Sequence, residues 1–336
     1  MTDLTTVGPD VAVFHDGLDV KVRDGLQPGT VYEFEGITFR TLAVPDGELL
    51  ATFATVNDTH FGEPFCGESE EFTLGPICRP EPGDDPYSHV MSRAAAAEIA
   101  ALDPSVVVAK GDLTDHGTDV EWAAFESVYR PVFGDRLHLI RGNHDAYASD
   151  VLLAGRPVQV VDLPGARLVL LDTVIPGADK GTLSTAQLDE LEEIAAKSDR
   201  PVLAFSHHHV WDPDGHLAPG QSFGIDAAGS TRLIDLYTRY PRLTAYLSGH
   251  THRNRVRRFA RTGVMPWIET GCVKDFPGSW HEYRVHEGGI LQIHHRISAP
   301  DALAWTEKTR QMFAGQYFYY AFGSLGDRCL SIPPRV

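Results

Sequence analysis

Short apolar runs recur along this chain, and each closes abruptly on a cluster of glycine, carboxylate or imidazole residues. ATFATVN before Asp58, VVVAK before Gly111, PVLAFS before His207 and LTAYLS before Gly249 read as buried strands. LHLIR before Gly142 fits less fully, because it carries His138 and Arg141. Unbroken apolar runs of this length, bounded by turn residues, fit strands covered on both faces of a largely parallel sheet. Between them the spacing turns helical. It predicts helices over residues 89–102, 119–132 behind a Thr118 cap, 185–197 behind Ser184 with Gln187 at the third position, and 231–240 behind Ser230. Further strands are predicted at 157–161, 167–172, 255–259, 264–269, 282–286 and 290–297. The late strands have no helices between them, which predicts a second, largely antiparallel sheet.

The ends of the chain read differently. VAVFHDG, LDVKVRDG, TVYEFEG and ITFRTLAV alternate between Gly or Pro turns, so residues 1–50 are expected to form a small β appendage. The main domain is expected over residues 51–300. An aromatic-rich extension follows over 301–336, where Phe313, Tyr317, Tyr320 and Phe322 suit a packed helix in the core or at an interface, with a role in covering a functional site as the less favoured alternative.

Composition narrows the function. With 336 residues, 43% hydrophobic and 22% charged, the chain is an ordinary globular protein of one large domain or two. Its 29 basic and 46 acidic residues leave a net charge of −17, which disfavours a nucleic acid polymer as partner. A small phosphorylated substrate stays open, since bound cations reverse the local field. No apolar stretch is long enough for a membrane span and the first residues lack a signal-peptide pattern, so a cytoplasmic location without membrane contact is expected. Cys66, Cys78, Cys272 and Cys329 are too scattered for a disulfide scaffold, and the Cys66/Cys78 pair is expected as free thiols, with a disulfide or an accessory metal site as alternatives. The Gly/Pro-rich stretch 61–88 starts directly after His60 and is expected to act as a binding loop.

The chemistry lies in five motifs: Asp58-Thr59-His60, GDLTD at 111–115, GNHD at 142–145, His207-His208-His209, and GHTH at 249–252. Oxygen and imidazole donors set repeatedly at the carboxyl ends of strands converge on one sheet edge, where α/β proteins bind ligands. Bare carboxylates gathered there would repel one another, so the pattern predicts a metal centre.

In this order the motifs resemble the calcineurin-like metallophosphoesterases, and within them the cyclic-nucleotide phosphodiesterase branch, over residues 51–296. LDTVIPGADKGTLSTAQLDELE carries the likeness to that branch. GLQPGTVYEF followed by FRTL is similar to the last strands of a fibronectin-type sandwich. The family resemblance implies a four-layer α/β/β/α sandwich of two mixed β-sheets flanked by helices. It also implies two divalent metal ions, either Mn, Fe or Zn, with Asp58, His60 and His252 on the first. Asn143, His207 and His250 would hold the second, and Asp112 would be shared. Relatives carry proline where this chain has His209, and the first histidine of their motif is the ligand; His207 is therefore preferred, with His208 as the alternative. His144 is expected off the metals, as general acid toward the leaving group with Asp115 orienting it, or as a mere loop brace. Asp145 is expected to be structural. The implied reaction is phosphoester hydrolysis of a small substrate such as a 3′,5′-cyclic nucleotide. A phosphomonoester, a glycerophosphodiester and a nucleotide pyrophosphate remain alternatives, as does a nucleotide-binding regulatory scaffold. Assembly as a homodimer is compatible with this reading.

Overall fold

The computed structural model describes residues 2–68, 74–148 and 152–334. The first strands are β1 (Asp3–Val7), β2 (Ala12–Asp16), β3 (Asp19–Arg23), β4 (Val31–Phe34), β5 (Ile37–Arg40) and β6 (Leu49–Val56). Then come α1 (Tyr87–Leu102), β7 (Val106–Lys110), α2 (Asp119–Phe133), β8 (Leu137–Ile140), β9 (Val158–Leu163), β10 (Ala166–Leu171) and α3 (Thr185–Lys197). They are followed by β11 (Val202–Phe205), α4 (Ala227–Arg239), β12 (Leu243–Ser248), β13 (Arg255–Arg257) and β14 (Trp267–Glu269). The chain closes with β15 (Ser279–His286), β16 (Gly289–Arg296), α5 (Pro300–Thr309), α6 (Gln316–Ala321), α7 (Leu325–Arg328) and β17 (Leu330–Ile332).

Local chemistry explains the helix starts. Thr118 and Ser184 each form a capping box, with Glu121 and Gln187 at the third helical position. The fourth helix begins earlier than the expected 231, because Asp226 rather than Ser230 caps it and accepts from Gly229 N. Ser230 Oγ is instead buried, donating to the Ile225 carbonyl and accepting from Trp211 N.

Two six-stranded sheets stack face to face, ordered β17-β16-β15-β6-β7-β8 and β13-β14-β12-β11-β10-β9. Within them β6, β7 and β8 run parallel, as do β10, β11, β12 and β14. The late strands therefore do not build an antiparallel sheet of their own. β13 and β14 extend the second sheet, while β15, β16 and β17 pair outward from β6 in the first. Both sheets are mixed, and helices cover their outer faces, so the four-layer α/β/β/α arrangement holds. α1 and α2 pack the first sheet through Met91, Ile99, Phe125 and Tyr129, and α3 and α4 pack the second through Leu188, Leu191, Leu233 and Tyr237.

Between the sheets lies a dry layer of Phe53, Leu168, Leu170, Phe205, Leu247, Tyr283 and Val285. Phe53 stacks on Tyr283 at 4.5 Å and meets Phe205 edge-on at 6.0 Å. The N-terminal strands form a three-stranded sheet and a hairpin around Phe14 and Phe39, and Arg328 donates to the carbonyls of Leu4 and Thr5. At the other end, the expected packed helix is broken. Phe313 and Ala314 take φ of 53° and 55° between α5 and α6. All four cysteines are buried free thiols, with Cys66 and Cys78 paired through their backbones in the loop after His60. Residues 69–73 of that loop lie outside the described residues. Among the described residues, no helix is long and apolar enough to cross a membrane.

Removing the aromatic between the sheets should open a cavity that neither sheet can close. Phe53→Ala is expected to cost about 3–5 kcal/mol, read as a lowered urea midpoint with unchanged m-value.

Candidate metal centre

The carboxyl ends of β6, β7 and β8 in one sheet and of β11 and β12 in the other open onto one shared edge, and all five motifs follow those ends. The backbone there is unusual. Asp58, His60, Asp112, His250 and His252 have φ of 52°, 43°, 49°, 68° and 53°, in the left-handed region. Asp and His tolerate this region better than most residues, but each still costs on the order of 1 kcal/mol or more and persists only where the surroundings over-determine it. Crossed hydrogen bonds supply that constraint: Asp58 N to Gly111 O at 3.0 Å, His60 N to Asp112 O at 3.0 Å and Phe61 N to Leu113 O at 3.0 Å.

The glycines of the motifs make room for the donors. A Cβ on Gly142 would lie 2.1 Å from Asp112 Oδ1, on Gly111 2.4 Å from His207 Nδ1, and on Gly249 2.8 Å from Asp58 Oδ2.

Two donor clusters result. One donor atom each from Asp58, His60, Asp112 and His252 lie within 4.8 Å of one another. In the second, His207 Nε2 stands 3.1 Å from Asn143 Oδ1, 3.1 Å from His250 Nδ1 and 3.2 Å from Asp112 Oδ2. Asp112 belongs to both. Neighbouring carbonyls set the tautomers, since a carbonyl only accepts. His207 Nδ1–H donates to Lys110 O at 3.0 Å, leaving its Nε2 pointing inward. His250 Nε2–H donates to Phe223 O at 2.9 Å, leaving Nδ1 inward. His208 instead turns its Nδ1 to Thr173 Oγ1 at 2.8 Å, although it can join His207 and His250 in a possible donor group. His60 is the sharpest case: both ring nitrogens are buried and neither has a hydrogen-bond partner. A buried imidazole in that condition is explained by a bound ion, and the donor set of carboxylate, amide and imidazole suits a divalent transition metal.

Charge points the same way. Burial disfavours the Asp112 carboxylate, yet His207 and His144 hold its pKa well below the usual range. Burial likewise opposes protonated His207 and His144, but Asp112 lifts both to about 9. Beneath them lies Lys110, pushed down to about 7 by burial, donating to Asn57 Oδ1 at 2.6 Å and Thr270 Oγ1 at 2.7 Å. Asn57 in turn donates to the Asp58 carboxylate.

Asp115 faces His144 through its backbone as well as its carboxylate. Its Nδ1–H donates to the backbone carbonyl of Asp115 at 2.7 Å, while the Asp115 carboxylate stands at 3.6 Å. That carboxylate lies nearer His116 Nδ1, at 2.9 Å. Asp145 accepts from Gly142 N, Thr114 N and Thr114 Oγ1 at 2.7, 2.8 and 2.7 Å, tying the GNHD loop to the GDLTD loop.

Around these donors opens a cleft of about 1060 Å³. Phe65, Tyr147, Phe223, Phe313 and Tyr317 line it together with Lys274, which is clamped between Glu63 at 2.5 Å and Asp275 at 3.5 Å. Part of the C-terminal extension thus faces the cleft as well as packing the core. Of these lining residues, Phe65 lies in the loop after His60 and Phe313 and Tyr317 in the aromatic-rich extension, whereas Tyr147, Phe223 and Lys274 carried no signal in the sequence.

Residues 51–254 match the calcineurin-like phosphoesterase family. The chain is 31% identical over 209 residues to a 3′,5′-cyclic adenosine monophosphate phosphodiesterase of Pseudomonas aeruginosa, covering 56% of this chain and 72% of that protein. It is 30% identical over 168 residues to a probable glycerophosphodiester phosphodiesterase of Arcobacter nitrofigilis, covering 45% of this chain and 57% of that one. A dimetal phosphatase from Danio rerio shares the fold, with a TM-score of 0.61 and 15% identity over 85% of this chain and 100% of that structure.

Gly142→Ala should drive a methyl against Asp112 and weaken binding of Mn²⁺ by about tenfold or more. Calorimetric titration checks this, with an unchanged far-UV spectrum showing that the fold survives.

Proposed function

The chain belongs to the calcineurin-like phosphoesterases, and from that premise we propose that it is a binuclear phosphodiesterase acting on a small diester of the 3′,5′-cyclic nucleotide type. A metal-dependent hydrolase of phosphoesters is the activity the family brings. The observation that carries the binuclear reading is the pair of donor clusters sharing Asp112, with His60 buried and unpartnered beside it.

In this reading Asp58, His60, Asp112 and His252 hold one ion, and Asp112, Asn143, His207 and His250 hold the other. His207 is favoured over His208 by its three contacts with the remaining donors. When bound, the ions supply Lewis-acid polarisation of the phosphoryl group and activation of water. The protein does the rest. Asp112 balances charge in both halves of the site. The carbonyl of Asp115 fixes the His144 ring through Nδ1 and frees Nε2 for proton delivery to the departing oxygen. The cleft is roomy enough for a nucleotide, and exposed Phe223 offers a planar face on which a base can stack. The Arcobacter relative keeps a glycerophosphodiester as the second reading. Comparing Mn²⁺-dependent turnover of 3′,5′-cyclic AMP and glycerophosphoethanolamine decides between them, and turnover of neither would overturn both.

Asp112→Ala should abolish turnover, and elemental analysis should fall from two metals per chain in the wild type to one or none. His144→Ala should leave metal content unchanged and slow cyclic AMP hydrolysis by about 10²–10⁴-fold, because a ribose oxygen needs its proton in the transition state. An activated aryl diester should lose far less. Equal losses on both substrates would remove the acid role.

A further inference from the structure

Asn143 carries an amide whose two ends differ in kind: an oxygen that a cation attracts and an NH₂ group that it repels. In the structure Oδ1 faces inward, 3.1 Å from His207 Nε2, and Nδ2 faces outward. The outward side is met by residues beyond the GNHD motif. Nδ2 donates at 2.8 Å to the phenol oxygen of Tyr147, and that phenol donates in turn to the carboxylate of Asp179. From this we propose that Tyr147 and Asp179 are positioning residues that lock the Asn143 amide with its oxygen toward the second metal. The inference rests on the two-metal reading above.

The polarity of the relay follows from its far end. A carboxylate only accepts hydrogen bonds, so Asp179 takes the phenol proton. The phenol oxygen is thereby left as an acceptor toward Asn143. An accepting phenol selects the NH₂ end of the amide, and the carbonyl end turns inward by default. Without Asp179 the hydroxyl is free to rotate and donate to Oδ1, which would present N–H groups to the cation. The parts are held in place independently. The Tyr147 ring rests on His144 at 4.7 Å, and Gly177 N donates to Ala146 O at 3.2 Å, pinning the segment that carries Asp179 beside the GNHD loop. Asn143 itself is buried, so Nδ2 depends on Tyr147 for its acceptor.

The test is Mn²⁺ titration of the full-length protein by calorimetry, alongside visible spectra of the Co²⁺-substituted form. Tyr147→Phe removes the acceptor and keeps the ring. It is expected to weaken the second metal by about 10–100-fold, leave the first unchanged, alter the Co²⁺ bands, and recover turnover at excess Mn²⁺. Asp179→Asn, at an exposed position, should give a smaller loss in the same site. Wild-type affinity for both ions in Tyr147→Phe would overturn the proposal while leaving the two-metal reading intact. A loss in Tyr147→Phe with none in Asp179→Asn would overturn the part given to Asp179. A wild-type protein that takes up a single ion would overturn both.

Discussion

Two carboxylates, Asp58 and Asp112, are buried together where the two sheets open onto a common edge, and their charge governs what surrounds them. A lone buried carboxylate is costly, and a pair of them is tolerable only among groups that bring positive charge. The chain meets this demand in layers. His207 stands against Asp112 at 3.2 Å and His252 against Asp58 at 3.5 Å, and Lys110 lies beneath, reaching Asp58 through Asn57. The donor clusters built around this pair are suited to metal ions, which ties the family's metal chemistry to the electrostatics of this fold.

Crowding so many donors into one place constrains the backbone. Short, sharply turned loops must deliver side chains from two different sheets, and five of the donors accept left-handed backbone to do it. Motif glycines then clear the space into which the neighbouring loop's ligand projects. The apolar layer between the sheets, with Phe53, Phe205 and Tyr283 at its centre, keeps the two edges in register so that strain in the loops is held rather than relaxed. Stability in the core and geometry at the rim are therefore one problem.

Beyond the ligands, the loops around the cleft divide the work. Asp145 braces two ligand loops through four donors, the Asp115 carbonyl aims His144, and Tyr147 with Asp179 faces the outer side of Asn143. The C-terminal segment adds Phe313 and Tyr317 to the cleft wall, so substrate-facing surface is drawn from parts of the chain remote from the motifs.

The sequence by itself determined the layer structure and the types of donor side chain at the shared edge. Apolar runs ending on Asp, Asn or His are local signals, and a strand covered on both faces is legible from its own residues. Helix caps at Thr118 and Ser184 were equally local, while the choice of Asp226 over Ser230 was not, because Ser230 is claimed by Trp211 and Ile225 from outside the helix. The tertiary structure alone decided three other matters. The late strands joined two sheets, because pairing partners are chosen by packing rather than by the alternation each strand carries. His144 lies closer to the carbonyl of Asp115 than to its carboxylate, a difference of about one ångström between 2.7 and 3.6 Å that no spacing rule encodes. Tyr147, Asp179, Lys274 and Phe313 reached the cleft from outside the five motifs, and nothing in their own stretches of sequence says that they face it. Periodicity and motif spacing report what a residue's own neighbours in the chain impose; contacts across hundreds of residues follow only once the two sheets have closed on each other.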